Sequence, residues 1–292
     1  MLAPAPPPQA AVSVLQRHST RTTRLSAANV PGCRAEAPGT SRSSATPSEP
    51  ATKVVRLRSQ RMPVLTQMPA IRFPAAELRE IGASWDPDQQ SLAKEDGERL
   101  GRLCDGLVGA ALAEFLGDIP IRSPNPRRLL PESADCVEVG PARVIGGIRP
   151  QNFDVAYRPD GVRFAFDSKT LNTRKSLAKN YQNMINDLAS EAATVHTRFP
   201  AAVVAFMIAV PEACLGPHQA PLEAALRRLA ERTHSADEPH RAEAISLVVW
   251  DPQMGAVIED RTRTDALRPG NFSALIEAAY TRRYAGMPPH LK

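Results

Sequence analysis

Aromatic residues make up only 5% of this 292-residue chain, which also holds just four cysteines and six histidines. So few rings leave little support for a surface that stacks the bases of a single strand. Cys33, Cys104, Cys136 and Cys214 are scattered, without the close spacing of a zinc knuckle or redox pair. Free, mostly buried thiols are expected, as in a reducing compartment. The histidines form no metal spacing either, and His196 suits a helix end better than general-base work. A Gly-rich phosphate loop of the Walker type and a Ser nucleophile elbow are both missing, so nucleotide-driven and acyl-transfer chemistries lack support. No apolar run approaches the ~18 residues of a membrane span, and AAVSVL is too short and too proline-flanked for a secretory core. A soluble, cytoplasmic protein is expected.

Acidic residues are nearly missing from the first quarter of the chain. Residues 1–75 hold 10 of the 36 Lys/Arg but only 2 of the 31 Asp/Glu. That stretch carries a net +8 and the remainder −3, against +5 for the whole. MLAPAPPPQA and APGTSRSSATPSEPATK are rich in Pro, Ser and Ala, with little to bury. Residues 1–74 therefore read as a disordered basic tail and residues 75–292 as one folded domain. The tail admits three readings: a flexible arm, a stretch ahead of a later start at Met62 or Met68, or a transit peptide with Arg17, Arg21 and Arg24 before the first acid, Glu36. As an arm it adds sequence-independent affinity for DNA that weakens steeply with salt.

From about residue 70 the pattern becomes globular. Leu100, Leu103, Leu107, Leu112, Phe115 and Leu116 predict a long helix from Asp88 or Ser91 to about Leu116, ended by Gly117. Gly101, Gly106 and Gly109 weaken that helix but let it approach a sheet. A strand is expected near 143–148, then a hairpin over NFDVAYRPDGVRFAFDSKTL, residues 152–171, turning at Pro159-Asp160-Gly161. Leu177, Tyr181, Met184, Ile185, Leu188 and Ala192 place a helix at 173–196. AAVVAFMIAV, residues 201–210, and AISLVVW, 244–250, read as buried strands, with a helix at 222–232 between them. A short strand AVIED and a helix at 271–284 close the chain. The order implies an α/β fold: an antiparallel hairpin feeding a partly parallel sheet flanked by helices.

Away from the turn, Asp154, Asp167 and Lys169 interrupt the strand formers of this hairpin. Asp167 and Lys169 share one face of its second strand, opposite Val162, Phe164, Phe166 and Ser168. Pairing Tyr157 with Val162, or closing two residues tighter around Asp160-Gly161, puts Asp154 on that same face; a one-residue bulge breaks the agreement. Two carboxylates held together need a cation, and oxygen ligands with room for water suit Mg²⁺. Such a centre suits phosphodiester hydrolysis, with Lys169 stabilising charge that develops on phosphorus. A cross-strand surface ion pair of Asp154 and Lys169, with Asp167 a bystander, satisfies the spacing equally well.

Phe153-Asp154 at one strand end, followed by Asp167-Ser168-Lys169 on the next strand, resembles the signature of the PD-(D/E)XK nuclease superfamily, with Phe in place of the Pro. GRLCDGLVGAALAEFLG is similar to the family helix that carries a further acid before the hairpin, which puts Asp105 in that role, with Glu98 and Glu114 as rivals. The resemblance covers roughly residues 95–210. It implies a restriction-endonuclease-like core, a mixed sheet whose antiparallel catalytic hairpin is flanked by helices. It also implies a Mg²⁺-dependent DNA endonuclease in which Asp154 and Asp167 hold the metal, Lys169 serves the water and the transition state, and Asp105 is a third acid. On the following helix, Lys179 and Gln182 match positions that point toward the family's active site. Arg174 and Lys175 join them as candidate DNA contacts. Restriction of double-stranded DNA by a homodimer, beside a companion DNA methyltransferase, is the role implied. A repair or junction nuclease would use the same centre, and a DNA-binding protein of this fold without cleavage is the alternative.

Overall fold

The structure is a computed structural model and describes residues 64–125 and 127–290. Most of the tail therefore lies outside the described residues. Its expected boundary at residue 74 moves, because residues 64–73 are part of the packed body. Met68 is buried, Leu65, Ile71 and Phe73 pack on the core, and the Met68 amide donates to Glu277 Oε2 at 2.9 Å. Composition alone misjudged this stretch because a few spaced apolar side chains suffice to dock an extended segment.

Helices α1 (Ala75–Gly82) and α2 (Lys94–Phe115) precede the sheet. α2 starts later than its periodicity suggests, since Asp86 and Ser91 exchange backbone hydrogen bonds in a turn ahead of it. Strands β1 (Ile121–Arg122), β2 (Val137–Ile145), β3 (Pro150–Tyr157) and β4 (Phe164–Thr170) follow, then α3 (Arg174–His196) and β5 (Val203–Pro211). The chain continues through α4 (Glu212–Leu215), α5 (Gln219–Leu229), β6 (Ala244–Asp251) and β7 (Ala256–Val257) to α6 (Pro269–Tyr284). All seven strands form one mixed sheet in sequence order. β2, β3 and β4 are antiparallel, while β4, β5 and β6 run parallel.

The central strand β5 is buried along its whole length, as its unbroken apolar sequence predicts. Its side chains alternate strictly between two cores. Val203, Ala205, Met207 and Ala209 pack with residues of α1, α2 and α6, whereas Val204, Phe206, Ile208 and Val210 pack with α3 and α5. Helices therefore cover both faces of the sheet. α2 lies very close to β2: a Cβ on Gly109 would stand 2.3 Å from Val139 Cγ2.

β2 was expected near 143–148 and is instead longer and earlier. Gly140 and Pro141 concealed its first half, since both residues usually break strands. Here they form a bulge. Val139 pairs with Val155 and Ala142 with Phe153, so two residues of β2 stand against the single residue Asp154. Gly140, at φ 122°, supplies a backbone conformation that other residues rarely adopt.

The cysteines within the described residues, Cys104, Cys136 and Cys214, are free and buried. No helix there is long and apolar enough to cross a membrane.

Candidate active site

The hairpin takes the tighter of its two expected registers, with Tyr157 opposite Phe164 and Val155 opposite Phe166. One step further along lie Asp154 and Asp167, where the paired ladder ends. Phe153 belongs to the core beneath α3, yet Val155 belongs to the core beneath α2. The alternation of β3 thus breaks at Asp154, beside the bulge. This break lets one carboxylate serve both sides of β4. Asp154 Oδ2 accepts the Ser168 amide at 3.0 Å, and the Asp154 carboxyl also hydrogen-bonds with that of Asp167.

Ser168 faces α2, and its hydroxyl donates to Asp105 Oδ1 at 2.8 Å. Gly101, one helical turn before Asp105, also faces Ser168: a Cβ there would stand in ordinary contact, 3.5 Å from its Oγ. Asp105 is therefore the acid of α2 that reaches the hairpin. Its rival Glu98 is exposed between Lys94 and Arg102, and Glu114 is also exposed.

On the other side of β4, the Lys169 ammonium contacts Asp167 and donates to Glu191 Oε1 of α3 at 3.2 Å. Gln151 Nε2 donates to the same oxygen, also at 3.2 Å. Spacing did not single out Glu191 or Gln151. A signal was present all the same: Glu191 is an acid on the helix face that carries Leu188, Ala192 and Val195 into the core.

Four carboxylates and one ammonium thus form a continuous chain from α2 across the strand ends to α3. Burial raises the Asp105 carboxyl to about 7, aided by the negative charge of Asp154 and opposed by the Ser168 hydroxyl, Arg102 and Lys169. Burial also lifts Asp154 to about 7, reinforced by the hydrogen bond and charge of Asp167, against the Ser168 amide and Lys169. Asp167, 7% exposed, is raised as well, chiefly by burial. Burial works against the Lys169 charge, but Asp167 and Glu191 outweigh it and hold the ammonium up at about 12. The cluster carries more acid than its single lysine neutralises, so without a further cation it retains protons.

Hard oxygen donors with excess negative charge fit a divalent cation such as Mg²⁺, which takes one or two protein carboxylates and keeps its remaining positions for water or phosphate. Asp154 and Asp167 are the pair in direct contact, and Asp105 joins them through Ser168. Among the described residues, no group of three or more His, Cys, Asp or Glu is arranged to hold a metal by itself.

The expected DNA contacts lie on α3, the helix that follows the hairpin. Arg174, Lys175 and Lys179 are exposed on the N-terminal half of α3, with Arg174 Nη1 donating to Gln90 Oε1. Gln182 lines a groove between α3 and α5 together with Tyr181, Asn186 and Arg228. Nine residues separate it from Glu191, about two and a half turns, which puts the two on opposite sides of the helix. His196 does end its helix, buried between the carbonyl oxygens of Pro239 and Ala202.

Comparison of the chain with protein-family models, curated proteins and solved structures returned no match.

Proposed function

We propose that this protein is a Mg²⁺-dependent DNA endonuclease of the restriction-endonuclease-like class. The observation that carries this reading is the convergence of Asp154, Asp167 and Lys169 at the point where β3 and β4 separate, with Asp105 joined through Ser168. A surface ion pair does not account for that arrangement, because Asp167 is buried and both Asp105 and Asp154 are lifted to about 7.

Asp154 and Asp167 would hold the cation, which when bound polarises a phosphate oxygen and acidifies water. The Ser168 amide keeps Asp154 turned toward Asp167, and the Ser168 hydroxyl orients Asp105. Lys169 presents a fixed positive charge where negative charge develops on the phosphoryl group. Arg174, Lys175 and Lys179 offer phosphate contacts that position a duplex without reading its sequence. Restriction is the biological role we assign within this class.

Plasmid and mixed genomic DNA incubated with the purified protein, in Mg²⁺ or EDTA, test the reading. Lys169→Ala and Asp154→Asn proteins run alongside. Mg²⁺-dependent cuts that disappear in both variants are expected. A folded wild type that binds but never cuts modified, unmodified or branched DNA would instead be a binding protein built on the same fold.

A further inference from the structure

Glu191 is 4% exposed and occupies an unusual position for a carboxylate. Its Oε1 accepts from both Lys169 Nζ and Gln151 Nε2, whereas its Oε2 is buried with no hydrogen-bond partner among the described residues. Leu188, Ala192 and Val195 anchor this part of α3 in the core, so the carboxylate is held by a rigid element. Gln151 lies three residues before Asp154 on β3. Glu191 therefore ties the strand bearing Asp154 and the strand bearing Lys169 to one helix.

Lys169 needs such a support. A lysine has a long flexible stem and no preferred planar geometry for its partners. Its other carboxylate partner, Asp167, is one that the nuclease reading assigns to the cation. A group that engages Asp167 competes with the ammonium, and an ammonium without a second anchor would leave its place.

We propose that Glu191 is a positioning residue for Lys169, with Gln151 orienting it. It keeps the ammonium in the site while Asp167 serves another partner. This inference rests on the nuclease reading for its effect on rate, but the restraint on Lys169 can be measured without cleavage.

The test uses the full-length protein with Glu191→Gln, Glu191→Ala, Lys169→Ala and the Lys169→Ala/Glu191→Gln double variant. Glu191→Gln keeps the side-chain volume, so it guards against simple misfolding. Three quantities are measured: the single-turnover cleavage rate in Mg²⁺, the DNA Kd in Ca²⁺, and the acetylation rate of Lys169 in EDTA without DNA. Supporting groups around a reacting centre typically contribute about 10–100-fold, so a rate loss of that size is expected for Glu191→Gln with DNA Kd nearly unchanged. Glu191→Gln should add no further loss in the Lys169→Ala background, since the support acts through that lysine. Lys169 should acetylate several-fold faster in both single Glu191 variants. Unchanged Lys169 acetylation, or equal rate losses with and without Lys169, would overturn the proposal. A folded wild type that never cuts, combined with faster acetylation in the variants, would retain Glu191 as the restraint on Lys169 and reject the nuclease reading.

Discussion

Two charged clusters sit on the same sheet and are built on opposite principles. At the separation of β3 and β4, Asp105, Asp154, Asp167 and Glu191 face one lysine. Beside the start of β5, a single acid, Glu243, is surrounded by donors. Arg232 and Arg283 each approach its Oε1 at 2.8 Å, the Val204 amide donates to Oε2 at 2.7 Å, and His196 Nε2 lies 3.3 Å from that oxygen. Burial acts to raise Glu243, yet the hydrogen bond and charge of His196, the charge of Arg283 and the Val204 amide hold it below the usual carboxylate value. Glu243, His196 and Arg232 are buried, and so are Asp167 and Glu191, whereas Asp105, Asp154 and Lys169 are half-buried. The larger difference is compensation. Glu243 has more partners than it needs and fastens α3, β5, β6 and α6 together, whereas the carboxylates at the strand separation are left short of positive charge.

The largest effect that would sharpen this contrast is on catalysis. Lys169→Ala should reduce DNA cleavage by about 10²–10³-fold or more, the usual cost of removing a charge that meets the transition state. A protein that cuts equally well without Lys169 would break the contrast outright.

Glu243→Gln should do the reverse. It strands Arg232 and Arg283 in the interior and should cost about 3–5 kcal/mol in urea unfolding, the usual result of removing one partner from a buried pair. Cleavage per folded molecule should remain unchanged.

Smaller effects are expected from the groups that support Asp154. Asp105→Asn and Ser168→Ala should each lower the cleavage rate by about 10–100-fold, as for groups that orient metal-binding residues. Stopped single-turnover assays at saturating DNA would measure this directly.

The clusters should also respond oppositely to pH. In EDTA, the Asp105 and Asp154 carboxyls titrate at about 7 in the folded protein, above their unfolded values. Their contribution is full below about pH 4 and is lost as pH rises through about 7. Glu243, held low, contributes above about pH 4.3 and loses that contribution as pH falls. Melting temperature in EDTA should therefore fall between about pH 5 and 7 and level off above that, and Asp105→Asn should flatten the fall. A wild-type profile that rises over this range would contradict the assignment.

The mildest changes concern the surface. Replacing Arg174, Lys175 or Lys179 singly with Ala should weaken DNA binding evenly across sequences and reduce the salt slope by about 1 each. Gln182→Ala, on the far side of α3 from Glu191, should leave the cleavage rate unchanged.

Much of this architecture was legible beforehand because it depends on local repetition. The apolar runs around Ala205 and Val248 read as buried strands and the Leu177 to Ala192 stripe as an amphipathic helix, and the structure has both. Asp154, Asp167 and Lys169 were legible too, since strand alternation and a turn at Asp160-Gly161 restrict where they can point. The first half of β2 was not, because Gly140 and Pro141 break its local pattern while a neighbouring strand completes it. The short strand β1 likewise exists only through its partner, whereas β7 falls within the strand expected at AVIED.

The sequence by itself determined the α/β alternation, the hairpin and the placement of Asp154, Asp167 and Lys169 along it, since side-chain period and turn chemistry act over a few residues. Only the tertiary structure decided that Asp105 meets them through Ser168, that Asp154 stands at a break in the alternation, and that Glu191 grips Lys169 from 22 residues away. Those relations depend on how a helix crosses a sheet and where a bulge shifts the register. Residues far apart in the chain set both, and no local pattern encodes them.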